Sequence, residues 1–245
     1  MDPSGGTEAV VVKGDKYRSH ILGEGEKNTK WKFGAPPSYD VVNKLFEEER
    51  SKEWPKGSLE EKVQNLVKTF EMELFHKTCP DDYKTVNTQK FRLIVNGGRP
   101  MSLEEVAKVG GYNAFLQTSL ANRLHAYDPS TETAESSHHA FGTAFPRGFV
   151  LEILQVFSGP PVVAFKFRHW GYMEGPFKGH APTGERVDLY GVGIVEVDES
   201  MRVEKLEFIY DAGELLAGLL KGPLKDSESD TSANSSLHCP FLKGM

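Results

Sequence analysis

Apolar residues recur at helical spacing in the first half of the chain and alternate with polar ones in the second. From Tyr39 to about Trp54, Val42, Leu45 and Phe46 share a face, with Ser38 placed to cap the segment and Pro55 to stop it. Ser58-Leu-Glu-Glu61 has the spacing of a capping box. Leu59, Val63, Leu66, Val67, Phe70 and Leu74 then follow at intervals of three and four, which predicts a second helix with that stripe turned to the core. A CPDDYK turn leads into a short strand, FRLIV, closed by Asn96-Gly97-Gly98. Ser102-Leu-Glu-Glu105 is another capping box, opening a helix interrupted at Gly110-Gly111. Residues 121–140 are polar and read as a loop or mobile lid.

Beyond this point the period changes. Residues 149–157, 162–170, 186–197 and 202–210 are rich in Val, Ile, Phe and Tyr and are separated by turn chemistry, so four strands are expected. A last helix, 212–220, is expected behind Asp211. Helices first and a run of strands after predict an α+β fold with a mostly antiparallel sheet. Residues 1–37 read as an extended, partly disordered arm, with Tyr17, Trp31 and Phe33 the side chains to pin it. Residues 38–221 form the folded domain in this reading, and the Ser/Asp-rich 222–245 a flexible tail.

Composition narrows the function classes. With 38% hydrophobic and 26% charged residues, the chain is too apolar to be disordered throughout. The net charge of -6 comes without any Lys/Arg run, which argues against nucleic acid as a partner. MDPSGGTEAVVVKGDKYR lacks the apolar core of a secretory signal, and no segment is apolar for long enough to span a membrane. A cytoplasmic location is expected, with the nucleus open as well. Cys79 and Cys239 stand outside any C-x-x-C pattern and read as free thiols in a reducing compartment. His138-His139 has no further ligands at metal-binding spacing, GEGE lacks the strand and helix of a phosphate loop, and no G-x-S-x-G occurs. Neither a metal nor another cofactor is expected.

The stretch from Arg168 to Leu220 carries Gly171, Gly175, Phe177, Gly179, Pro182, Thr183 and Gly184 in one loop, then two strands, then Asp211 opening a helix. This order resembles the SnoaL-like polyketide cyclases of the nuclear transport factor 2-like superfamily, over roughly residues 60–220. The resemblance implies a cone-shaped curved sheet packed on N-terminal helices, with a pocket at the open end. DKYR, HILGEGEKNT, APPSYDVV, KLFEEER, GSLEEKVQ, GGYNAFL and FKFRHWGYMEGPFKGH resemble the plant pathogen-related family over nearly the whole chain. That implies a plant protein of the pathogen response and names no reaction.

Within that frame the candidate chemistry is small. Asp211 matches the Asp used by SnoaL-like cyclases as general acid/base, and Asp211-Ala-Gly-Glu214 is equally a capping box. Glu207, earlier on the same strand, is read on the same face as Asp211 and as a second carboxylate, or else as a solvated strand-end residue. His169 shares a face with Phe165 and Phe167, where it serves as a proton shuttle or as core; Arg168 points the other way and pairs on the outer face. Trp170 and Tyr172 are placed at the pocket mouth. Leu189, Gly191 and Gly193 share a face of the next strand, and the missing side chain at Gly193 makes room for a bulky apolar ligand. Two functions follow: binding of a small apolar metabolite in defence or specialised metabolism, or cofactor-free cyclase or isomerase chemistry on Asp211. A homodimer through the outer sheet face is the third expectation, with Phe149, Leu151 and Phe157 as its exposed patch.

Overall fold

A computed structural model of the chain describes residues 14–117 and 127–224. Its elements run α1 (Asp40–Glu49), α2 (Leu59–His76), β1 (Arg92–Val95), α3 (Leu103–Val109), α4 (Gly111–Phe115), α5 (Ala134–Ala144), β2 (Val150–Val156), β3 (Val162–Tyr172), β4 (Arg186–Val197), β5 (Val203–Tyr210) and α6 (Ala212–Leu219). The strands make one sheet in the order β1-β5-β4-β3-β2. All neighbours are antiparallel except β1 and β5. The expected α+β class is what the structure has. Register shifts at Ile153/Gln155 and at Glu196/Val197 interrupt the ladder, and such bulges bend the strands that carry them.

Alternation along the strands sorts the sheet into two faces. Leu151, Ile153, Phe165, Phe167, Leu206 and Phe208 turn inward and are buried against Val63, Val67 and Phe70 of α2. Val150 and Trp170 turn outward and are covered by Leu45 and Phe46 of α1, with Tyr17 of the arm. The arm is pinned by Tyr17 and also by Ile21, 4% exposed. Phe33 instead stays 54% exposed, lying on the ring of His138 at 5.0 Å.

Several local expectations change. Helix α1 begins after Tyr39 without a side-chain cap, and the Ser38 hydroxyl reaches the Asp40 N–H only at 3.5 Å. It ends at Glu49 rather than Trp54, because the N–H groups of Ser51 and Lys52 donate to Glu152 Oε1 at 2.6 and 2.8 Å. Arg168 Nη2 holds the other oxygen of that buried carboxylate at 2.7 Å, so Arg168 pairs beneath α1 and not on an open face. At α2 the Ser58 hydroxyl accepts the Glu61 N–H, while the Glu61 carboxylate takes the N–H of Gly57. At α3 both halves of the Ser102–Glu105 box form.

The polar stretch read as a loop contains α5. Residues 121–126 lie outside the described residues, but Ala134–Ala144 is helical. Thr133 and Ser136 cap each other reciprocally, each hydroxyl accepting the other's N–H at 3.0 Å. Phe141 then buries against Tyr112 of α4, rings stacked 4.3 Å apart. Gly110 permits that approach: a Cβ there would lie 2.6 Å from Ala134 Cα. The expected outer patch also dissolves. Leu151 is buried and Phe149 half-buried, leaving Phe157 exposed at 56%.

Candidate functional site

The inner face of the sheet closes over most of its length, but at the end carrying His169 and Tyr210 it leaves a cavity of about 230 Å³. An apolar cavity of roughly 150 Å³ is enough for a benzene ring, so the space suits a small ring compound. Phe167 and His169 of β3, Leu189 of β4 and Phe208 of β5 form its floor. Helix α2 supplies Glu71, Phe75 and His76, and Tyr112 and Phe115 come from α4. The remaining walls come from Arg18 of the arm, Tyr39 and Val42 at the start of α1, His138 of α5, Phe149 before β2 and Leu215 of α6.

Few polar groups reach this space. His169 Nε2 sits 3.3 Å from Glu71 Oε1, and the imidazole stacks on Phe149 at 5.1 Å with Phe167 edge-on. Its Nδ1 is buried without a protein partner. In the neutral ring, the nearby Glu71 carboxylate favours the tautomer protonated at Nε2, with the Nδ1 lone pair turned to its surroundings. His76 is pushed down to about 4, first by burial and then by His138. Burial also lowers His138, so both rings are neutral near pH 7. Burial holds Tyr39, Tyr112 and Tyr210 above the usual phenol range. The Tyr210 hydroxyl donates to the Phe115 carbonyl, and this bond ties β5 to α4 across the cavity.

The candidate residues separate when they are placed on this geometry. Phe167, His169 and Leu189 line the cavity. Phe165 lies deeper, fully buried in the core against α2. Trp170 and Tyr172 are even-numbered on β3 and therefore face α1: Trp170 packs on Phe46, and the Tyr172 hydroxyl donates to Glu49 at 2.8 Å. Gly191 and Gly193 do make room, but for protein. A Cβ at Gly193 would lie 2.4 Å from Phe165 Cζ, and one at Gly191 2.6 Å from Phe167 Cζ.

Glu207 stands between buried Leu206 and Phe208 and so points to the outer face, opposite Ile194 of β4. Asp211 is exposed beyond the end of β5, and its Oδ1 accepts the Gly213 N–H at 2.7 Å as the cap of α6. It borders a separate open groove of about 1500 Å³ whose walls carry Arg99, Lys108, Asp128 and Glu132. The two carboxylates are thus on different surfaces, and neither lines the cavity.

Glu71 and Arg18 do line it without being legible as site residues. Glu71 left a trace: it is four positions after Val67, a polar residue set into the apolar stripe of α2. Arg18 left none, since the arm has no period to read. Among the described residues no group of three or more His, Cys, Asp or Glu is placed to hold a metal ion, and no helix is long and apolar enough to cross a membrane.

No family model matches the chain. The chain is 54% identical over 233 residues to a pathogen-related protein of Hordeum vulgare, covering 94% of this chain and 96% of that one. Similar solved structures include a protein assigned as a SnoaL-like polyketide cyclase from Jannaschia, 17% identical, over 70% of this chain and all of that one, TM-score 0.41. Another is IdmH of Streptomyces antibioticus, assigned as a polyketide cyclase: 15% identical, 57% of this chain, 85% of that one, TM-score 0.37. A Catenulispora acidiphila protein of ketosteroid isomerase-like fold is 10% identical over 64% of this chain and 93% of that one, TM-score 0.37. Likenesses of this size carry nothing about function.

Proposed function

We propose, from the premise that this chain belongs to the pathogen-related protein family, that it binds a small apolar metabolite in the cavity between α2 and the sheet, as part of a plant's pathogen response. The observation that carries this reading is the cavity's lining: mostly aromatic and aliphatic, with its polar groups confined to the His169–Glu71 pair, the neutral rings of His76 and His138, and Arg18. Binding sites for small molecules have that composition. A cytoplasmic protein of specialised metabolism would use such a site to carry or present its ligand. A homodimer through the outer face of β3–β5 belongs to the same proposal; exposed Val162, Tyr190 and Ile209 support it, and a monomer in sedimentation velocity at micromolar concentration would exclude it.

The test is mass spectrometry of a plant metabolite extract passed over the purified protein, beside a Leu189→Trp variant whose larger side chain fills the cavity. A compound retained by the wild type and lost from Leu189→Trp is the expected result. Equal retention by both would place binding elsewhere and end this reading.

One observation favours a second reading, cofactor-free cyclase or isomerase chemistry. His169 Nδ1 is an unpartnered base in an apolar setting with Glu71 behind it, the arrangement a general base needs to take a proton from carbon beside a carbonyl. In this reading the pair His169–Glu71 takes the role first assigned to Asp211. A product formed by the wild type and absent with His169→Gln, while the substrate is still retained, would establish it; conversion that persists in His169→Gln would remove it.

A further inference from the structure

Arg18 is a charged side chain built into the cavity wall with most of its donors unused. The side chain is 7% exposed. A guanidinium carries five N–H donors. One is used: Nη1 donates to Asn43 Oδ1 at 2.8 Å. Nε is buried and has no partner. The nearest acid, Asp15, is 3.6 Å from Nη1, beyond hydrogen-bond length. Both its oxygens are already engaged: Oδ1 by the N–H groups of Tyr17 and Arg18, at 2.8 and 2.7 Å, and Oδ2 by Asn43 Nδ2, at 2.6 Å.

The setting also fixes how the group is presented. The guanidinium carbon lies 3.7 Å from the centre of the Tyr39 ring. A guanidinium laid on an aromatic ring is held by its face and keeps its N–H edge for planar acceptors. Asp15, at 3.6 Å, offsets part of the charge without taking its protons, and a buried donor left unbonded, as Nε is, is costly; that cost falls when an anion arrives to accept those protons. Among the acceptors a small molecule can bring, a carboxylate matches the fork with two parallel bonds. A phosphate dianion fits less well, because Glu71 shares the cavity and, among the described residues, Arg18 is its one Lys or Arg wall residue.

We infer that the ligand is an apolar acid, held with its carboxylate on Arg18 and its ring or chain among Phe75, Phe115, Phe149 and Leu189. This rests on the cavity being the binding site, and it adds a chemical class to that reading. It also gives the arm a function: the residue that selects the ligand comes from outside the sheet and helices that shape the cavity.

The test is fluorine NMR titration of the full chain at neutral pH with 3-(4-fluorophenyl)propanoic acid and, separately, its primary amide, which has the same shape without the charge. The acid should bind about tenfold tighter or more, the size one charge-assisted hydrogen bond supplies. Arg18→Gln should bring the acid down to the level of the amide and leave amide binding within about twofold, and Arg18→Lys should keep part of the preference. If Arg18→Gln fails to fold, the wild-type ratio and Arg18→Lys carry the test. An amide bound as well as the acid, or a preference that survives in Arg18→Gln, overturns the inference and leaves the cavity as a site for neutral ligands. Binding of neither compound, or binding unchanged in Leu189→Trp, overturns the inference together with the reading beneath it.

Discussion

Lys77 Nζ lies 2.9 Å from Glu26 Oε2, a bond between the residue that follows α2 and one 51 positions earlier in the arm. The ammonium also donates to Glu73 Oε1 at 3.0 Å and to the Asp82 carbonyl at 2.9 Å. Glu73 in turn accepts the N–H groups of Lys84 and Thr85. All three charged side chains are at most 5% exposed. The cluster fixes the arm to the end of the helix that lines the cavity.

Removing one member of such a group strands the others. Lys77→Met should lower unfolding stability by roughly 3–5 kcal/mol. Urea unfolding followed by circular dichroism would measure it. A loss below about 1 kcal/mol, the worth of an exposed pair, would show that the cluster does not hold the arm.

His76 sets a direction for acid sensitivity. Its folded value is pushed down to about 4, while an unfolded chain would bind the proton near its ordinary 6.5. Between those values the unfolded state holds more protons, so stability is full above about pH 6.5 and falls as pH drops toward 4. The contribution is at most about 3 kcal/mol. Denaturant midpoints at pH 7.5, 6.0 and 4.5 should fall more steeply for the wild type than for His76→Phe. Parallel curves would mean the ring is not held neutral.

Gly193 and Phe165 are cross-strand partners, and the ring lies where a Cβ would be. Gly193→Ala should therefore cost about 1–3 kcal/mol through displacement of the ring. Adding Phe165→Leu should make the alanine itself less costly, a non-additivity that a double-mutant cycle reads directly. Additive effects would sink the account of the glycine as a seat for that ring.

Asp211 acts at the start of α6. Asp211→Ala should cost about 1 kcal/mol and Asp211→Asn a few tenths at most, because Asn caps as well as Asp. Neither should alter ligand affinity in the cavity. A loss of binding in Asp211→Asn, with stability unchanged, would return Asp211 to the site.

Much of the fold was legible because period and capping are local signals. The four long strands and the start of α3 came from alternation and from the Ser102–Glu105 spacing. Helix α5 was not read, since its box closes with Ser136 where Glu or Gln is the usual partner, and its face holds few large apolar residues. The site was harder to read. His169 followed from parity on β3, and the same parity, applied to Trp170 and Tyr172, sends both to α1. The filling of Gly191 and Gly193 depends on strand register, which alternation alone does not specify. Arg18 depends on where an irregular arm docks, which is set by contacts far apart in sequence such as the Lys77 cluster and the packing of Tyr17.

The cavity draws its walls from Arg18 at one end of the described chain to Leu215 near the other. No contiguous stretch contains it, and a partly folded molecule with the sheet formed but the arm undocked would lack one side. Contacts so distant in sequence are slow to close. Ligand binding in a refolding experiment should therefore appear after the sheet does, and a bound ligand would act as a stopwatch for the docking of the segment around Arg18.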